Sequence, residues 1–187
     1  MNRSWPQVII LLVFASLLVA CANNATATSS TLQAPMTLTL SSSAFAEGKS
    51  IPSDYSCKGR SISPALAWSG APGNTVSYAL IVEDPDAPGG TFVHWVIYNI
   101  PAISNSLQQA VTHTPAFGDG AAQGSNGAGH QYYDGPCPPS GTHHYYFRLY
   151  ALDTRLDLPP GATADQLRKA MQGHVIAQGE LMGTFSR

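Results

Sequence analysis

Phe92-Val93-His94-Trp95-Val96-Ile97-Tyr98-Asn99-Ile100, stopped by Pro101, decides the fold class. The run is β-branched and aromatic throughout, which favours a strand. A period of two puts Phe92, His94, Val96 and Tyr98 on one face and Val93, Trp95 and Ile97 on the other. Both faces are apolar, so the strand is expected to be buried on both sides, and His94 with it.

Other segments read outward from this one. Ser77 to Val82 is a preceding strand ended by Pro85, His143 to Leu152 a later one, and Met36-Thr37-Leu38-Thr39-Leu40 alternates as a half-buried strand does. His174 to Phe185 reads as a last strand or two short pieces. One helix is expected, with Thr163 as N-cap, Leu167, Ala170 and Met171 on one face, and Gly173 near the C-terminal cap. Residues 113–142 lack periodicity and are rich in Gly and Pro, a long loop of the kind that carries function. Four to six strands and one helix predict a mainly β domain built from two packed sheets.

Composition agrees with that class. The chain has 187 residues, 17 Gly and 14 Pro, with 44% hydrophobic and only 11% charged residues. One domain with a short appendage fits this length. A formal net charge of −2 supplies no basic field, so a nucleic-acid partner is not expected.

The appendage is N-terminal. Arg3 precedes the apolar run Val8 to Ala20, which is short for a spanning helix. Leu18-Val19-Ala20-Cys21 resembles a bacterial lipobox. That resemblance implies a signal peptide over residues 1–20, lipidation of Cys21, and attachment of a flexible tether (residues 21–35) to a membrane of the cell envelope, the outer one in a diderm because Ala22 is not Asp. The protein would then face the periplasm or the exterior. An ordinary secretory signal is the alternative. In an oxidising envelope Cys57 and Cys137 are candidates for a disulfide, or else two buried thiols.

Two stretches carry chemistry. Asp84-Pro85-Asp86-Ala87-Pro88 holds two carboxylates at a strand end between stiffening prolines. Tyr133-Asp134-Gly135-Pro136-Cys137-Pro138-Pro139-Ser140-Gly141-Thr142-His143-His144-Tyr145 leads into a strand with His143, Tyr145, Phe147 and Leu149 on one face. Between them, Gly124-Ser125-Asn126-Gly127-Ala128-Gly129 offers N–H groups that could curve around an anion. His113 and His130 read as solvated loop residues, and His174 as a cation at the helix C-terminus.

Together these motifs resemble the phosphatidylethanolamine-binding protein family, in its bacterial Raf-kinase-inhibitor-like branch. Ile62-Ser63-Pro64-Ala65-Leu66-Ala67-Trp68-Ser69-Gly70 and Gly173-His174-Val175 match as well, so the likeness spans residues 36–187. It implies a large antiparallel sheet packed on a smaller one with few short helices. It also implies a pocket for phosphoryl-type anions, such as a phospholipid head group or a small phosphate ligand. Carried over, the pocket residues are Asp84, Asp86, His94, His143 and Tyr145, with Gly135 and Pro136 at the rim. The family's His-Arg-Tyr is His143-His144-Tyr145 here, which removes a fixed cation. Asp84 or Asp86 would keep the imidazoles protonated, so anion affinity should fall as pH rises. The implied protein binds without catalysis and needs no cofactor or metal. Alternatives are an interaction module that inhibits a kinase or protease, and a metal-dependent hydrolase on Asp84, Asp86, His94 and His143.

Overall fold

The computed structural model describes residues 36–187, together with Met1 and Asn2. The expected signal peptide, the expected lipidation of Cys21 and the expected tether fall on residues outside those described.

Ten strands follow in order: β1 (Met36–Thr37), β2 (Thr39–Ser42), β3 (Lys49–Ser50), β4 (Leu66–Ser69), β5 (Ser77–Asp84), β6 (Phe92–Pro101), β7 (Ser106–Leu107), β8 (Ala122–Gln123), β9 (Thr142–Leu152) and β10 (Val175–Ser186). A short 3₁₀ turn spans Ser53–Tyr55 and the helix α1 spans Ala164–Ala170. The larger sheet runs β1-β10-β9-β5-β6-β8, with β3 also on β10; the smaller runs β2-β4-β7.

The expected larger and smaller sheets are therefore present, with one difference from the expected antiparallel arrangement. β1 and β3 lie parallel to β10, Met36 opposite Ala177 and Lys49 opposite Gly183. The long outer edge of β10 is shared by these two fragments because β2, between them, leaves to pair with β4 in the smaller sheet. The expected strand over residues 36–40 is thus split between two sheets.

The larger sheet is covered on both faces, which explains the doubly apolar strands. Leu40, Leu66 and Trp68 of the small sheet pack on Leu80, Val82, Trp95, Ile97, Phe147 and Leu149. On the opposite face Ala79, Ile81, Val96 and Tyr98 meet Leu156, Ala162, Leu167 and Met171. Helix α1 begins as its sequence dictates: Thr163 accepts from the Gln166 N–H while the Gln166 side chain accepts from the Thr163 N–H. Thr163→Ala should lower stability by about 1 kcal/mol, read as a shifted urea midpoint at constant slope.

The alternation expected for β6 fails at one residue. Val82 pairs with Trp95 but its neighbour Glu83 pairs with Val93, so His94 is an extra residue in a β-bulge. Val93 and Val96 pack toward the helix, whereas His94 turns with Trp95 to the face between the sheets, its ring 5.2 Å from that of Tyr145. The expected grouping of His94 with Val96 and Tyr98 is corrected accordingly. A second irregularity, at Asn99 (φ 57°), lets its buried amide bond the backbone of Leu156 in both directions.

Candidate functional site

The bulge, the end of β5 and the start of β9 converge on a cavity of about 390 Å³. Asp84, Phe92, His94 and His143 line it with Ser61, Ala87, Asp134, Gly135, Pro139 and the two cysteines.

Asp84 ends β5 with its side chain buried. Pro85 offers no N–H, so one carboxylate oxygen accepts from the Asp86 N–H at 2.8 Å. The other accepts from His143 Nδ1 at 2.7 Å, in a buried pair. This bond fixes the His143 ring and leaves its Nε2 for a ligand. Tyr145 lies below on the same face of β9, fully buried, and its hydroxyl has no hydrogen-bond partner. Burial, reinforced by the Asp84 charge, pushes the Tyr145 phenol above its ordinary value. It is a neutral donor close to the Asp84 carboxylate.

His94 is held differently. Its Nδ1 donates to the Asp134 backbone carbonyl at 2.8 Å, and its own carbonyl accepts from the Asp134 N–H at 3.0 Å. A carbonyl compensates a positive ring less than a carboxylate does, so burial dominates and lowers the His94 pKa below its ordinary value. A neutral His94 therefore presents a bare Nε2, and protonation must accompany any anion it grips. The expectation that carboxylates keep both imidazoles charged is corrected at His94.

Three expected members, Asp86, Pro136 and the buried Tyr145, do not line the cavity with the others. Asp86 points to the rim, where its carboxylate accepts from both the backbone N–H and Nδ1 of His144, at 2.9 and 2.7 Å. His144 thereby holds Asp86 charged, with a pKa below the usual carboxylate range. Pro136 contributes its carbonyl to the Cys57 N–H at 3.1 Å and not a surface to the cavity. Gly135 does line it, with its N–H on Ser61 Oγ at 2.9 Å. A Cβ there would fall 2.5 Å from the Tyr55 carbonyl oxygen, so only glycine lets the two rim loops close.

The Gly124–Gly129 run is no anion cradle. Gly124 donates to Val96, Ser125 to Ala162, Asn126 to His130, Gly127 to Val93, Ala128 to Asn126 Oδ1 and Gly129 to the Asn126 carbonyl. All six N–H groups are spent on acceptors of the chain, those of Gly124 and Gly127 fastening the loop to β6. Its hub is Asn126, whose amide also reaches the Asp134 carboxylate at 2.8 Å.

Asp134, read only as part of a motif, proves central: its main chain orients His94 while its side chain receives Asn126 and His130. His130 is half-exposed and stacks on Tyr132, which stacks on His113, so these histidines are not simply solvated. His174 pairs with Asp153 near the helix C-terminus. Cys57 and Cys137 form a disulfide, Cα atoms 5.4 Å apart, that walls the cavity.

Residues 41–186 match the family model described as phosphatidylethanolamine-binding protein. The chain belongs to the phosphatidylethanolamine-binding protein family. Among curated members, a UPF0098 protein of Methanothermobacter thermautotrophicus is 49% identical over 150 residues, covering 80% of this chain and 99% of that one. A Mycobacterium tuberculosis relative named "Putative lipoprotein LppC" is 44% identical, covering 86% of this chain and 79% of that one. Two solved family structures are similar. A Chlamydia trachomatis homologue has 43% identity and a TM-score of 0.75, covering 81% of this chain and 98% of that one. E. coli YbcL has 30% identity and a TM-score of 0.72, covering 80% and 98%.

Proposed function

We propose that this family member is a lipid-anchored envelope protein that binds a phosphoryl-type anion in the Asp84–His143 cavity without transforming it. The observation that carries this reading is the pair of imidazoles turned toward one small space. His143 is clamped from behind by Asp84 and His94 by the Asp134 carbonyl, each through Nδ1, so that Nε2 of both rings is left for a ligand. Tetrahedral oxyanions accept several such bonds at once. The ligand is a phospholipid head group or a small phosphate compound.

The hydrolase alternative is disfavoured by the same geometry. Asp86 is turned to His144, and Asp84 is spent on His143 and a backbone N–H, so the four residues do not form a metal-ligand set. Among the described residues no group of three His, Cys, Asp or Glu could hold a metal. The anchor rests on the lipobox-like Leu18-Val19-Ala20-Cys21 and on the description of the mycobacterial relative as a lipoprotein. Among the described residues, no helix is long and apolar enough to cross a membrane.

Sulfate tests the reading because its own charge does not change near neutrality. Binding stabilises the imidazolium form of His94, whose free pKa is low, so complex formation takes up a proton. Affinity should therefore fall roughly tenfold from about pH 5 to pH 8, measured by calorimetry, with His94 and His143 ring signals shifting in NMR spectra. An affinity that is flat or rises with pH would overturn it.

A further inference from the structure

The cavity contains no permanent cation. Its charged and titratable lining is Asp84, Asp134, His94 and His143, and Asp134 already has its own partners. A multiply charged ligand held there needs compensation from elsewhere. Two fixed cations, Lys58 and Arg187, stand across a common wall. A second cavity of about 430 Å³ is lined by Cys57, Lys58, Cys137, Pro138, Pro139, Phe185 and Arg187, so the disulfide and Pro139 belong to both spaces.

Both cations of this second cavity are available. The Arg187 guanidinium is fastened through Nη1 to the Pro139 carbonyl at 2.7 Å, which leaves its other N–H groups unspent beside the shared wall. Lys58 takes part in none of the ion pairs seen among the described residues, whereas Arg60, Arg148 and Arg168 are all engaged with carboxylates. Phe185 and Pro138 supply an apolar floor between the cations, and both are buried. One space thus offers directed hydrogen bonds with little fixed charge, and its neighbour offers charge with few directed bonds.

We propose that the Lys58–Arg187 cavity is a second anion subsite, and that the ligand is an extended molecule whose two anionic groups straddle the Cys57–Cys137 disulfide. This rests on the anion reading of the first cavity and names its substrate class. Two sources carry that chemistry, a soluble bisphosphorylated compound and a lipid head group with two phosphates.

The test uses the full chain in a non-ionic detergent and compares butyl phosphate with a graded series of alkanediol bisphosphates by calorimetry. One member of the series should bind at least about tenfold tighter than butyl phosphate. Lys58→Gln with Arg187→Gln should erase that gain while inorganic phosphate still shifts the His94 and His143 ring signals. Lys58→Gln alone, which touches no loop contact, should remove part of it. Competition by cardiolipin vesicles would assign the lipid source, and failure of vesicles to compete the soluble one. Equal affinity for mono- and bisphosphates, or a gain that survives both substitutions, overturns the second subsite while leaving the first intact. If inorganic phosphate itself does not perturb His94 and His143, it is the first reading that fails.

Discussion

A chain carrying Cys57→Ser and Cys137→Ser should lose about 4 to 5 kcal/mol of stability in the chain-entropy limit, because the bridge closes a loop of 80 residues. The expected observation is a large fall in the urea midpoint, with the reduced native protein behaving like the double variant. The effect should reach the cavity as well. The disulfide joins the two rim loops, residues 53–61 and 133–139. Otherwise they are held by Tyr133 Oη on the Tyr55 carbonyl, Gly135 N on Ser61 Oγ and Cys57 N on the Pro136 carbonyl. Three neutral hydrogen bonds of about 1 kcal/mol each cannot match the covalent tie. Sulfate affinity should therefore drop on reduction at temperatures where the sheets remain folded by circular dichroism. Unchanged affinity in the reduced, folded protein would show that the rim loops are held without the bridge.

Asp84→Asn is the second substitution with a large expected effect. Aspartate accepts from two donors here, the Asp86 N–H and His143 Nδ1. Asparagine keeps one acceptor and sets an NH₂ against the other donor, and it removes the negative charge that faces His143 Nδ1. A charge-assisted bond contributes about 1.5 to 3 kcal/mol, so sulfate affinity should fall by roughly 10- to 150-fold. His143→Ala should do at least as much, and the double variant little more than either alone, as expected for residues acting as a unit. Additive losses would mean that Asp84 and His143 meet the anion independently. Retained affinity in Asp84→Asn would mean that the pair is structural.

Much of this arrangement was legible in the chain. The strand at 92–100 stood out because both of its faces are apolar, those at 77–82 and 143–152 were found as further strands, and the alternation of β9 placed His143 and Tyr145 together correctly. The helix was marked by its own cap at Thr163. The face of His94 was not legible, since the bulge exists only in the pairing of β6 with β5. Nor was the fate of Asp86: a carboxylate two residues from Asp84 looks equivalent to it until His144 claims it from the neighbouring strand. The Gly124–Gly129 run misled because an Asn126 side chain, not an anion, organises its N–H groups. A second, smaller sheet was expected, but its strands Leu66–Ser69 and Ser106–Leu107 were not picked out because they are too short to show a period.

The parallel fragment at the outer edge of the large sheet fixes where the described domain begins relative to its cavity. Met36 enters opposite Ala177, while His143 lies opposite Phe185, eight residues further along the same strand. At about 3.3 Å per residue the two points are roughly 26 Å apart. Most of the length of β10 therefore separates the chain's entry into the sheet from the groups that would grip an anion.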